Sequence, residues 1–154
     1  MEKNLTTRCV AIVEKCAMTE MALRYILDNE AGKKYSIHFY KNTQALKREF
    51  ASKNFIAVIF SLSGSRRIRL ESLLFLYEIA QTRPEIQRIV LADNTAEMRL
   101  ISHLTPSSPQ TILNKSSCLT RLQERLLQLI EQAPLDKASI LERSNSSCGQ
   151  ILSP

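Results

Sequence analysis

Glu14, Lys15 and Ser61 are the residues whose types and positions raise the question of chemistry. Ser61 ends the apolar run FIAVIF and opens a small-residue loop leading to Arg66, Arg67 and Arg69, while Glu14 and Lys15 follow the apolar run RCVAIV in the same way. A serine at the carboxyl end of a buried strand stands where open α/β sheets place their ligands and reactions. The groups that would activate it are missing. The histidines are His38, inside a strand pattern, and His103, near a helix end, so no Ser-His-Asp set is evident. Cys9, Cys16, Cys118 and Cys148 contain no C-x-x-C pair and imply no zinc framework; they read as reduced core or near-core thiols. EKCAMT stands where a glycine-rich phosphate loop would follow the first strand, and the chain holds only 3 glycines. Neither a metal nor a cofactor is expected.

The elements that position these residues follow from the hydrophobic pattern. FIAVIF has no polar alternation and is too short and too β-branched for a helix, so it reads as a central strand buried on both faces. Arg8 to Val13, Tyr35 to Tyr40, Ile86 to Ala92 and Thr111 to Asn114 supply four more strands. Between them lie helical patterns. The first starts near Thr19, with Met18, Ala22, Tyr25 and Ile26 at helical spacing; the second is capped by Asn42 and carries Ala45, Leu46, Glu49 and Phe50. The third spans Leu70 to Thr82 with Leu73, Leu74, Leu76, Tyr77 and Ala80 on its apolar side, and stops before Pro84. Asp93, Asn94 and Thr95 offer cap chemistry for the fourth, which holds Met98, Leu100, Ile101 and Leu104. Ser117 can cap the last, lined by Leu119, Leu122, Leu126, Leu129, Ile130 and Ala133. Five strands alternating with five helices predict a flavodoxin-like α/β fold, a parallel sheet in the order 2-1-3-4-5. That order brings Glu14, Lys15 and Ser61 into one pocket at the carboxyl edge.

With 154 residues and 44% hydrophobic content, the chain has room for one domain and a short tail. The domain is expected over 1–133. Residues 134–154 are polar and serine-rich and read as a linker. The chain ends on Ser153-Pro154, the way a helix commonly begins, which suggests truncation before a further domain. No apolar run approaches a membrane span and the start MEKNLTTR precedes no signal-type block, so a cytosolic protein is expected. The formal charge of +6 is spread along the chain and reads as a mildly basic surface that binds no DNA by itself.

The segments VAIVEKCAM, AVIFSLS, LADNTAEMRLI, LTPSS and the closing LSP, in this order and spacing, resemble the BglJ/RcsA group of atypical LuxR-type transcription regulators and their N-terminal receiver domain. The match covers most of residues 10 to 116. In that group LSP opens a DNA-binding helix-turn-helix domain, which would lie beyond this chain. An ordinary receiver carries two acids after the first strand and an aspartate at the end of the third, which hold Mg²⁺ and accept the phosphoryl group. The matching positions here are Glu14, Lys15 and Ser61. The Thr or Ser expected at the end of the fourth strand is Ala92, the aromatic on the fifth is Ile112, and only the lysine survives, as Lys115. The resemblance therefore implies a pseudo-receiver without acceptor, metal site or switch pair.

Two readings of the pocket stand side by side. In one, Glu14 pairs with Lys115 or Lys15 and simply closes the edge; in the other, Lys15, Lys115 and Arg66 recruit a small anion. The Arg66-Arg67-Arg69 cluster reads more simply as a solvated loop than as a partner contact. The resemblance further implies no enzyme but a domain that forms a heterodimer with RcsB independently of its own phosphorylation. Met21 and Tyr25 on the first helix and Leu127 on the last, off its main apolar stripe, are the candidate contacts. The rivals are a ligand sensor on the same scaffold and a homodimer that needs no RcsB.

Overall fold

The computed structural model describes residues 8–28, 34–62, 66–104 and 111–132. The strands are β1 (Cys9–Val13), β2 (Ser36–Tyr40), β3 (Phe55–Ser61), β4 (Gln87–Ala92) and β5 (Ile112–Asn114), all parallel, in the order β2-β1-β3-β4-β5. This is the topology that the alternation predicts. β3 is buried along its whole length, as a strand with neighbours on both edges and helices on both faces must be.

The two-residue period of the strands divides the core into two layers. Val10 and Ile12 of β1, Ile59 of β3 and Leu91 of β4 face α1 (Ala17–Asp28) and α5 (Leu119–Glu131). Ala11, Val58, Phe60 and Val90 face α2 (Thr43–Phe50), α3 (Arg66–Thr82) and α4 (Thr95–Leu104). On that second side Phe50, Phe55, Phe60 and Phe75 meet edge-on or stacked, joining the packing of α2, β3 and α3.

The helix caps and helix faces differ in places from what periodicity suggests. Asn42 caps α2 as expected, its Oδ1 accepting from the Ala45 amide at 2.8 Å. Asn94 caps α4 through the Glu97 amide at 2.9 Å, and Glu97 in return accepts from the Asp93 amide at 2.7 Å. Ser117 does not cap α5. The cap residue is Cys118, which makes no side-chain cap bond. α1 begins at Ala17, and its buried stripe is Leu23, Ile26 and Leu27, not the Met18–Ala22–Tyr25–Ile26 series. Two apolar stripes overlap on this helix, and the sheet takes the one that faces β1 and α5.

α3 starts a turn earlier than Leu70, at Arg66, and buries Phe75, Leu76 and Ile79 while Leu74 and Tyr77 stay exposed. Three arginines at a helix start oppose the positive end of its dipole, and so they masked the first turn. β1, β2, β4 and β5 each begin one residue later than expected. α5 buries Leu122, Leu126, Leu129 and Ile130 as read, while Leu119 at its start is exposed. Ala133, Cys148 and the rest of the segment 134–154 lie outside the described residues. Among the described residues, no helix is long and apolar enough to cross a membrane.

Candidate functional site at the carboxyl edge

The strand ends converge as the strand order requires. Val13 pairs with Phe60, Ser61 with Leu91 and Ala92 with Asn114, so Glu14, Ser61, Ala92 and Lys115 stand together at the carboxyl edge. Glu14 continues β1 by donating its amide to the Tyr40 carbonyl at 2.9 Å. The residue is 1% exposed; Oε2 accepts from the Cys16 amide at 2.9 Å, and Oε1 has no hydrogen-bond partner among the described residues. Ser61 Oγ is buried and also has no partner among the described residues. Lys15, next in sequence to Glu14, is exposed.

Lys115 ties three strand ends together. Its amide donates to the Ala92 carbonyl at 2.7 Å, and its ammonium donates to the Leu62 carbonyl at 2.8 Å and pairs with Asp93 at 3.1 Å. The expected pairing of Glu14 with Lys115 or Lys15 is therefore not what forms. Asp93 follows β4 as Lys115 follows β5, and these neighbours on one edge meet first, leaving Glu14 to the amide of its own loop. Nor do Lys15, Lys115 and Arg66 converge on an anion site: Lys115 is engaged, and Arg66 lines a different hollow, between α3 and α4. Asp93, treated in the sequence only as cap chemistry, is the site residue that reading missed. The signal was available, because an acid and a lysine directly follow adjacent parallel strands.

Ala92 is fully buried, and Ile112, which pairs with Val90, sits a step inside the edge and packs in the α3–α4 layer. Neither presents a hydroxyl or a ring to the pocket. Cys16 is exposed at the start of α1. Hydrogen bonds from the Thr19 amide and hydroxyl and from the Met18 amide hold its thiol below the usual range, against the opposing charge of Glu14.

No protein-family model matches the chain. The transcriptional activator protein BglJ of Escherichia coli K12 is 36% identical over 123 residues, 80% of this chain and 55% of that protein; the chain thus spans about half the length of this curated relative. A response regulator of Thermotoga maritima superposes with a TM-score of 0.63 at 19% identity, over 82% of this chain and 99% of that one. RcsB of Salmonella enterica serovar Typhimurium, solved bound to promoter rprA with a phosphomimetic, gives 0.60 at 18% identity over 79% of this chain and 67% of its own.

The chain forms a BglJ-like receiver domain. The receiver fold raises the question of Mg²⁺, a hard ion that takes near-octahedral oxygen ligands. Glu14 is the one carboxylate at the β1–β3 end of this edge, half of it is committed to the Cys16 amide, and Ser61 adds a neutral hydroxyl. These groups do not make that donor set. Among the described residues, no three His, Cys, Asp or Glu side chains cluster as a metal site.

The candidate contact residues divide. Met21 and Tyr25 stand out from α1, 68% and 72% exposed, beside the even more exposed Met18. Met18, with Leu119 of α5, borders a hollow floored by Leu23, Ile26 and Leu122, whose lining does not include Met21 or Tyr25. Leu127, by contrast, is partly buried and packs into the core layer under α5, because the apolar stripe of that helix is broad.

Proposed function

We propose that this receiver domain belongs to a transcription regulator and acts by pairing with the receiver of RcsB, whatever the phosphorylation state of the chain itself. It is a binding module and not an enzyme, and DNA is contacted by a part of the protein beyond this chain. The observation that carries the reading is the pocket: the acceptor position holds Ser61, and Glu14 is spent on its own loop. Family likeness supports RcsB as the partner and a cytoplasmic setting. The exposed stripe of Met21 and Tyr25 supports α1 as the docking face, since large apolar side chains on a surface mark contacts when they lie together.

Sedimentation of the chain alone and mixed with the RcsB receiver tests the pairing. A heterodimer is expected, and Met21→Glu with Tyr25→Glu should weaken it about tenfold or more; Leu127→Glu is the poorer probe because it also opens the core. Acetyl phosphate or beryllofluoride with Mg²⁺ should leave the NMR spectrum unchanged. A self-associating chain that ignores RcsB, or large shifts around Ser61, would refute the proposal.

A further inference from the structure

A second apolar surface lies on the other face of the sheet, away from α1. Between α3 and α4 runs a groove of about 380 Å³ lined by Leu62, Arg66, Leu70, Leu73, Leu100 and Ile101, with the Arg69–Glu97 ion pair on its wall. Leu74, 60% exposed, and Tyr77 extend it along α3 at the i, i+4, i+7 spacing that starts from Leu70, while Leu100, 58% exposed, faces solvent from α4. Leu70 and Tyr77 stand about 10 Å apart along the axis at ~1.5 Å per residue. A strip of that shape fits a helix laid in a groove. A compact small molecule would leave Leu74 and Tyr77 uncovered.

Charge narrows the occupant. The first turn of α3 holds no acidic residue, so Arg66 and Arg67 stand against the positive end of the helix dipole. Glu97 is occupied by Arg69 and by the Asp93 amide. Arg66 and Arg67 make no ion pair among the described residues. The groove therefore has an apolar floor and a cationic mouth whose cost an incoming carboxylate would relieve. A second copy of this chain carries the same +6 charge and is the wrong complement.

We propose that the α3–α4 groove docks an acidic amphipathic helix of a partner protein, with leucine-type side chains seated between α3 and α4 and a carboxylate against Arg66. The site is independent of the pairing assigned to α1. To test it, a displayed library of random peptides, each long enough for four helical turns, is selected against the full chain, and the enriched peptides are titrated by fluorescence anisotropy. Acidic peptides with leucines at helical spacing should emerge, and Leu74→Glu and Arg66→Glu should each weaken them about tenfold. Both positions are solvent-exposed, so the melting temperature should hold, and Leu74→Glu should leave pairing with the RcsB receiver intact. No enrichment over a protein-free control, or peptides indifferent to both substitutions, would overturn the proposal. So would self-association abolished by Leu74→Glu, which would make the groove a contact between copies.

Discussion

Ser61 Oγ and Glu14 Oε1 are two buried oxygens without partners among the described residues, at the ends of neighbouring strands. An added carboxylate there has no cation to meet, because Lys115 already serves the Leu62 carbonyl and Asp93. Ser61→Asp should therefore destabilise the fold by about 3 kcal/mol, the scale of an uncompensated buried charge. Urea unfolding measures this, and a stability equal to that of the parent would mean that the pocket supplies a counter-charge. Cys16 offers a prediction in pH. Its pKa is lowered, so at any pH below the ordinary thiol range more of it is thiolate. Its alkylation by iodoacetamide should rise at lower pH than that of Cys9, whose thiol is pushed up by burial, and mass spectrometry of labelled peptides separates the two. Glu14 and Ser61 were legible in the sequence because apolar runs end where strands end. The Lys115–Asp93 pair needed one step more, the adjacency of β4 and β5 that puts the residues following them side by side, and hydrophobic periodicity alone says nothing of how far a lysine reaches.

At the scale of elements, order and type followed from the pattern, while helix rotation did not. α1 and α3 are each apolar over more than the width one neighbour covers, and only packing against the sheet selects Leu23, Ile26 and Leu27 on one and Phe75, Leu76 and Ile79 on the other. What periodicity offered as core on Met18, Tyr25, Leu74 and Tyr77 is surface. The two classes should separate in stability. Leu126→Ala in the fully buried stripe of α5 should cost about 2–5 kcal/mol, whereas Tyr25→Ala should stay within about 0.5 kcal/mol. Chemical denaturation of both variants decides it. A Tyr25 effect as large as the Leu126 effect would mean that α1 is rotated from the position described.

For the whole molecule, the sheet separates two exposed apolar surfaces, Met18, Met21 and Tyr25 on the α1 side and Leu70, Leu74, Tyr77 and Leu100 on the α3–α4 side. An ordinary receiver would link distant surfaces through a hydroxyl at the end of the fourth strand and an aromatic on the fifth. Here those positions hold Ala92 and Ile112, both buried and apolar. On the proposed reading, in which the pocket holds no two-state element, occupancy of one face does not bias the other, since coupling requires states that the two ligands favour differently. A peptide selected on the α3–α4 groove should thus bind equally well, within about twofold, to the free chain and to the chain saturated with the RcsB receiver. Allosteric coupling typically reaches about 1–3 kcal/mol, so a shift of fivefold or more in the anisotropy titration would reveal a switch that survives without Ser61 being an acceptor. Competition removed by Met21→Glu would instead mean that RcsB covers both faces.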